Sequence, residues 1–154
     1  RTNGVKTAMT FSDPAMLEYF KDDVNDVLGD GVDLLFCNER EALLWAETED
    51  FDAACEKMKV KATQFVITRG ADGALAWDGK EFTKIAGNPA KAIDTNGAGD
   101  MFAGAFLFAI TQGHSFAVAG KLASLASSEV VQVYGPRLTP GRHEELLAEV
   151  LAQE

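Results

Sequence analysis

The chain has 154 residues, 47% of them hydrophobic and 25% charged, with a formal net charge of −10 at pH 7. That is the length of one ordinary domain, or a large piece of one, with the composition of a soluble globular protein. The acidic balance argues against a general nucleic-acid or anionic-membrane surface.

The chain opens Arg1-Thr2-Asn3 without Met and soon enters Val5 to Phe11, which reads as an interior strand. This start leads us to expect the C-terminal part of a longer protein. Ser12-Asp13-Pro14 then provides a cap residue and a first-turn proline. Met16, Leu17, Phe20, Val24 and Leu28 recur at helical spacing, which predicts one helix over about 14–28. Gly29-Asp30-Gly31 stops it. Val32 to Cys37 is a short, nearly continuous apolar run, as in a buried parallel strand, and Asn38 ends it. Residues 39–46 and 50–58 read as helices joined by an acidic turn. Residues 64–68 read as a second buried strand, and 69–73 as a turn. Residues 74–77 and 81–85 flank Asp78-Gly79, a strong hairpin signal. Residues 99–112, 115–133 and 141–152 read as three helices, the second rich in Ala and Ser, with Pro136 and Pro140 marking a loop.

Strands alternating with helices predict an α/β fold, a mainly parallel sheet with helices on both faces. In open sheets of this kind ligands gather at the carboxyl ends of the strands. Asn38, Thr68-Arg69-Gly70 and Asp94 to Asp100 are all expected at such ends. The last stretch, Asp94-Thr95-Asn96-Gly97-Ala98-Gly99-Asp100, runs straight into an apolar helix. Its small residues let backbone amides approach an anion, and a helix start offers unpaired N–H groups and a positive dipole end. Asp100 would lie beside the anion; alternatively it caps the helix. Asp94 and Asn96 could give oxygens to a monovalent cation or form an Asx-type turn. Asn38 and Glu41 could face phosphate or Mg²⁺, or form a capping box. Thr68, Gly70 and Gly73 could approach a phosphate or only make the turn into the hairpin. Ala119, Gly120, Ala123, Ser124 and Ser127 suit close helix packing and also leave room for a flat base. Arg137 could meet a phosphate or a surface carboxylate.

Cys37 and Cys55 form no metal-ligand pair or disulfide framework, and their apolar surroundings suit reduced thiols in a cytoplasmic protein. His114 and His143 flank helix ends and are unsuited to a metal. No apolar run reaches membrane-spanning length, and no signal peptide is visible.

Residues 94–105 resemble the C-terminal signature of the PfkB (ribokinase-like) carbohydrate and nucleoside kinases. Asn38-x-x-Glu41 resembles that family's Mg²⁺-associated motif, and Val66 to Gly73 its nucleotide-binding strand and turn. The form Asp-Thr-Asn-Gly-Ala-Gly-Asp, with Phe11 to Pro14 and Val32 to Glu39, is most similar to the adenosine-kinase branch. The resemblance implies the C-terminal ATP-binding part, residues 1–154, of a single ribokinase-like domain without its N-terminal lid. It implies an ATP- and Mg²⁺-dependent kinase acting on the hydroxymethyl group of an adenosine-like nucleoside or a sugar, with K⁺ as a candidate activator. A non-catalytic nucleotide-binding module is the rival reading. By position, Asp100 would be the base, and Gly97, Ala98 and Gly99 the anion hole. Thr68 and Gly70 would contact ATP phosphate or ribose, with Gly73 in the same nucleotide-binding turn, and Ser124 would border adenine. Glu41 and Asn38 would serve Mg²⁺; Asp94 and Asn96, with backbone near Gly135, would serve K⁺. Two further expectations follow: weak or no activity for this chain alone, and homodimerisation to cover an open sheet edge.

Overall fold

The computed structural model describes residues 4–153, so Arg1-Thr2-Asn3 lies outside the described residues. Five strands lie in the hydrogen-bonded order β1 (Ala8–Thr10), β2 (Val32–Asn38), β3 (Ala62–Thr68), β4 (Ala74–Trp77) and β5 (Phe82–Ile85). β1 pairs with β2 and β2 with β3, all parallel, while β4 and β5 form the hairpin announced by Asp78-Gly79. The sheet is therefore mixed and mainly parallel, as the alternation of strands and helices predicts. The chain divides into two compact units, Arg1–Arg69 with Ala76–Phe82, and Gly70–Leu75 with Thr83–Glu154.

The first unit carries β1 to β3 and four helices: α1 (Pro14–Tyr19), α2 (Lys21–Leu28), α3 (Glu39–Ala46) and α4 (Phe51–Lys61). Leu34, Leu35, Phe36 and Cys37 are all buried, so both faces of β2 are covered; this is why its sequence is apolar without alternation. Phe65, Val66 and Ile67 are fully buried on β3. Phe11 stacks on Trp45 at 5.9 Å, and the Trp45 indole N–H reaches Asn25 Oδ1 at 3.0 Å, which makes Trp45 a core-edge residue. The predicted helix over 14–28 is two helices. It breaks at Phe20, whose φ of −133° is not helical. No Gly or Pro marks the break. Beside it Lys21 Nζ donates to the Leu44 carbonyl (3.4 Å) and pairs with Glu47 (2.7 Å), a tertiary tie to the end of α3. The strand expected over 5–11 is regular only at Ala8–Thr10.

The second unit carries α5 (Ala98–Thr111), α6 (Phe116–Val130) and α7 (Arg142–Leu151). α5 and α6 pack along their length, with Phe106 edge-on to Phe116 at 4.9 Å. Ala119, Gly120, Ala123 and Ser124 are buried on α6, as close packing requires. A methyl group on Gly120 would overlap the Ile85 side chain. Arg142 holds α7 to α6 through both oxygens of Glu129, at 3.0 and 2.5 Å. Residues 86–97 contain no strand. Asp94 therefore does not sit at a strand's carboxyl end, contrary to the expectation. This stretch includes Pro89, which lacks a ladder N–H, and it is tied to Ser124 of α6 and to the segment after α6.

Candidate functional site

In the first unit, β2 and β3 end side by side, with Asn38 in register with Thr68. Asn38 is extended and caps α3: its Oδ1 accepts from the Glu41 backbone N–H at 2.8 Å. Glu41 returns the bond, its Oε2 accepting from the Asn38 N–H at 2.9 Å, and its Oε1 accepts from Asn38 Nδ2 at 2.9 Å. The capping box is thus fully formed. Glu41 is buried, and burial raises its pKa above the ordinary carboxylate value; the bonds from Asn38 oppose the shift and the charge of Asp13 reinforces it. A buried carboxylate that holds its charge reluctantly gains from a nearby cation. Mg²⁺ keeps most of its waters and needs only one or two carboxylates, so Asn38 and Glu41 fit such an ion without a dedicated cage. Among the described residues no cluster of three His, Cys, Asp or Glu side chains suits a metal.

Thr68 Oγ1 leans on the Cys37 carbonyl at 3.4 Å. Arg69 pairs with both oxygens of Glu39 at 3.2 Å and lies over the Phe51 ring. Burial pushes the Cys37 thiol well up, with the charge of Glu41 adding to the shift, and burial raises Cys55 to about 11. Neither thiol is a nucleophile near neutral pH.

In the second unit, residues 70–72 form one 3₁₀ turn closed by Gly73 N–H on the Gly70 carbonyl. A Cβ on Gly73 would collide with the Ile85 carbonyl, so Gly73 serves close backbone approach to the strand end. Gly70 faces open space.

The loop before α5 is shaped by its own aspartate. Asp94 Oδ1 accepts from Asn96 N–H (3.0 Å) and Oδ2 from Gly135 N–H (3.1 Å). These two donors, in that order, hold its pKa below the ordinary carboxylate value against a smaller effect of burial. The Asx-type turn is therefore present. The Ile93 and Asp94 N–H groups both donate to the Val131 carbonyl, at 2.7 and 3.1 Å. Gly97 begins α5 with φ +77°, and the Pro136 ring occupies the place a Cβ would take.

α5 has no side-chain cap. Asp100, in the first turn, is exposed, and its carboxylate makes no hydrogen bond among the described residues. The capping role considered for it is not realised: no first-turn N–H donates to its carboxylate among the described residues. The Ala98 N–H bonds the Thr95 carbonyl at 3.3 Å, whereas the N–H groups of Gly97, Gly99 and Asp100 bond no acceptor among the described residues. A free carboxylate and three free N–H groups thus share one helix start, where the dipole favours an anion.

On α6, the Ser124 hydroxyl donates to the Ala86 carbonyl (2.7 Å) and accepts from Asn88 Nδ2 (2.8 Å). Arg137 is exposed. The anchoring by Val131, Pro136 and Ser127 has no local sequence signal, because each acts across some 30–40 residues of chain.

Residues 1–141 match the family model described as pfkB family carbohydrate kinase. The chain is 34% identical over 140 residues to the cytidine kinase of Thermococcus kodakarensis, covering 88% of this chain and 50% of that protein. The adenosine kinase structure from Sinorhizobium meliloti superposes with a TM-score of 0.86 at 33% identity, over 99% of this chain and 46% of that one. The Arabidopsis thaliana ribokinase complexed with ribose and ATP does so with a TM-score of 0.70 at 30% identity, over 80% of this chain and 43% of that one. The chain thus spans half or less of the length of each.

Proposed function

Because the chain belongs to the pfkB family of carbohydrate kinases, whose matched relatives include nucleoside kinases, we propose that the whole protein moves the γ-phosphoryl group of ATP onto the hydroxymethyl group of a nucleoside or a sugar. What carries the reading is Asp100: an exposed carboxylate with no hydrogen bond among the described residues, on the first turn of α5, next to free backbone N–H groups. Phosphoryl transfer asks a protein mainly for positioning and charge stabilisation. Asp100 would accept the proton of the acceptor hydroxyl as that oxygen attacks phosphorus. The N–H groups of Gly97 and Gly99, with that of Asp100 and the dipole of α5, would stabilise charge on the γ-phosphate oxygens; Ala98 would contribute through the close approach its small side chain allows. Thr68, Gly70 and Gly73 would border the nucleotide, and Ser124 the base.

Asn38 and Glu41 would hold Mg²⁺ through its waters; Mg²⁺, when bound, neutralises charge on the transferred phosphates. The backbone carbonyls of Asp94 and Asn96 accept no hydrogen bond among the described residues, so oxygens remain there for K⁺. Adenosine-like nucleosides and sugars are both carried as acceptors, since the adenosine kinase from Sinorhizobium meliloti and the probable sugar kinase from Rhizobium etli superpose equally well, each with a TM-score of 0.86 over 99% of this chain.

Asp100→Asn in the whole protein tests the assignment. It removes the base and keeps the shape, so kcat should fall about 10²- to 10⁴-fold while ATP still binds. Turnover equal to the wild type would overturn the role of Asp100. Assaying adenosine, cytidine and ribose as acceptors would rank the substrate classes.

A further inference from the structure

The end of α6 and Val131 just beyond it hold the loop 94–98 at both ends. At the loop's start, the Val131 carbonyl receives the N–H groups of Ile93 and Asp94. At its end, the Ser127 hydroxyl donates to the Ala98 carbonyl at 3.0 Å. Ser127 and Val131 are one helical turn apart and are themselves linked, Val131 N–H to Ser127 carbonyl at 3.3 Å. The other two serines nearby have different partners: Ser124 bonds the 86–88 segment, and Ser128 the Leu125 carbonyl of its own helix. Among the described residues, Ser127 is the one side chain of α6 that bonds this loop.

The start of α5 otherwise has little to fix it. It lacks a side-chain cap, and its N-cap is a glycine. The first turn is fixed locally by the bonds Ala98 N–H to Thr95 carbonyl, at a long 3.3 Å, and Met101 N–H to Gly97 carbonyl, at 2.8 Å. Asp100 lies two residues beyond the carbonyl that Ser127 grips. We propose that Ser127 is a positioning residue: by donating to the Ala98 carbonyl its hydroxyl fixes the first turn of α5, and through it the Asp100 carboxylate and the free N–H groups. This rests on the kinase reading above. It makes the C-terminal turn of α6 part of the catalytic geometry, without contact between Ser127 and substrate.

A small misplacement of a reacting group costs far more rate than binding. In the whole protein, Ser127→Ala should therefore lower kcat about 10-fold or more and leave KM for ATP nearly unchanged. Ser127→Thr and Ser127→Val differ only in the hydroxyl, so Thr should restore most of kcat and Val should not. Hydrogen exchange at the Met101 amide should quicken in the Ala and Val variants, while amides in the middle of α6 stay protected. A wild-type protein with no phosphoryl transfer to any acceptor would sink the kinase reading, and this inference with it. Normal kcat in the Ala and Val variants of an active enzyme would overturn the inference alone. So would equal losses in Thr and Val, or a general loss of protection, since these mark a role in folding only.

Discussion

Asp100 and Asp94 share one motif and differ in what surrounds them. Asp94 accepts two backbone N–H bonds and shapes the loop, whereas Asp100 accepts none among the described residues. Sequence spacing leaves both residues with two readings; the structure shows the Asx-type turn at Asp94 and no cap at Asp100. The same contrast governs acid stability. The Thr7 N–H (2.9 Å) and hydroxyl (3.0 Å) hold Asp33, lowering its pKa from the usual 3.8 to about 2. Its charged form is favoured in the folded state, so the stability it adds is present above pH 3.8 and lost as pH falls through about 2. Asp33→Asn should therefore lower Tm near pH 5, and the gap to the wild type should close near pH 2. A gap that stays constant over that range would refute the linkage. Glu41 acts with the opposite sign: its raised pKa means the folded state binds the proton more tightly, so stability falls as pH rises through its titration.

Helix ends are where composition speaks most clearly and where tertiary contacts most often override it. Asp50 caps α4, accepting from Asp52 N–H at 2.9 Å and Ala53 N–H at 3.3 Å. Asp50→Ala should lower the unfolding free energy by about 1 kcal/mol, and Asp50→Ser should keep most of it, as read by denaturant titration. No change in the Ala variant would mean that packing alone sets the start of α4. That comparison is real: burying a side chain such as Met58 or Phe65 stabilises by about 1.5–3 kcal/mol, more than one cap. The break at Phe20 has no local sequence signal and lies beside a tertiary tie. The pattern Leu17, Val24, Leu28 suits one continuous helix, yet the chain turns where Lys21 reaches the end of α3. β2, α3, β3 and the hairpin were legible because apolar runs, the Asn38–Glu41 box and Asp78-Gly79 are local signals. The anchoring of loop 94–98 was not, because its partners lie far along the chain.

At the scale of the whole molecule, the chain matches longer relatives: it spans 50% of the Thermococcus cytidine kinase and 46% of the Sinorhizobium adenosine kinase. We expect the 154-residue chain by itself to turn over weakly, because its candidate groups concern the phosphoryl donor and the base. A coupled assay of this chain with ATP and the acceptor panel checks it, and normal turnover would overturn the expectation. By itself the sequence determined the α/β class, most strands and helices, and the family, since periodicity, turn residues and a contiguous motif are properties of neighbouring residues. Only the tertiary structure decided what each motif residue is free to do. Whether an aspartate caps, staples or stays available depends on which distant N–H groups reach it, as Gly135 reaches Asp94 and none among the described residues reaches Asp100.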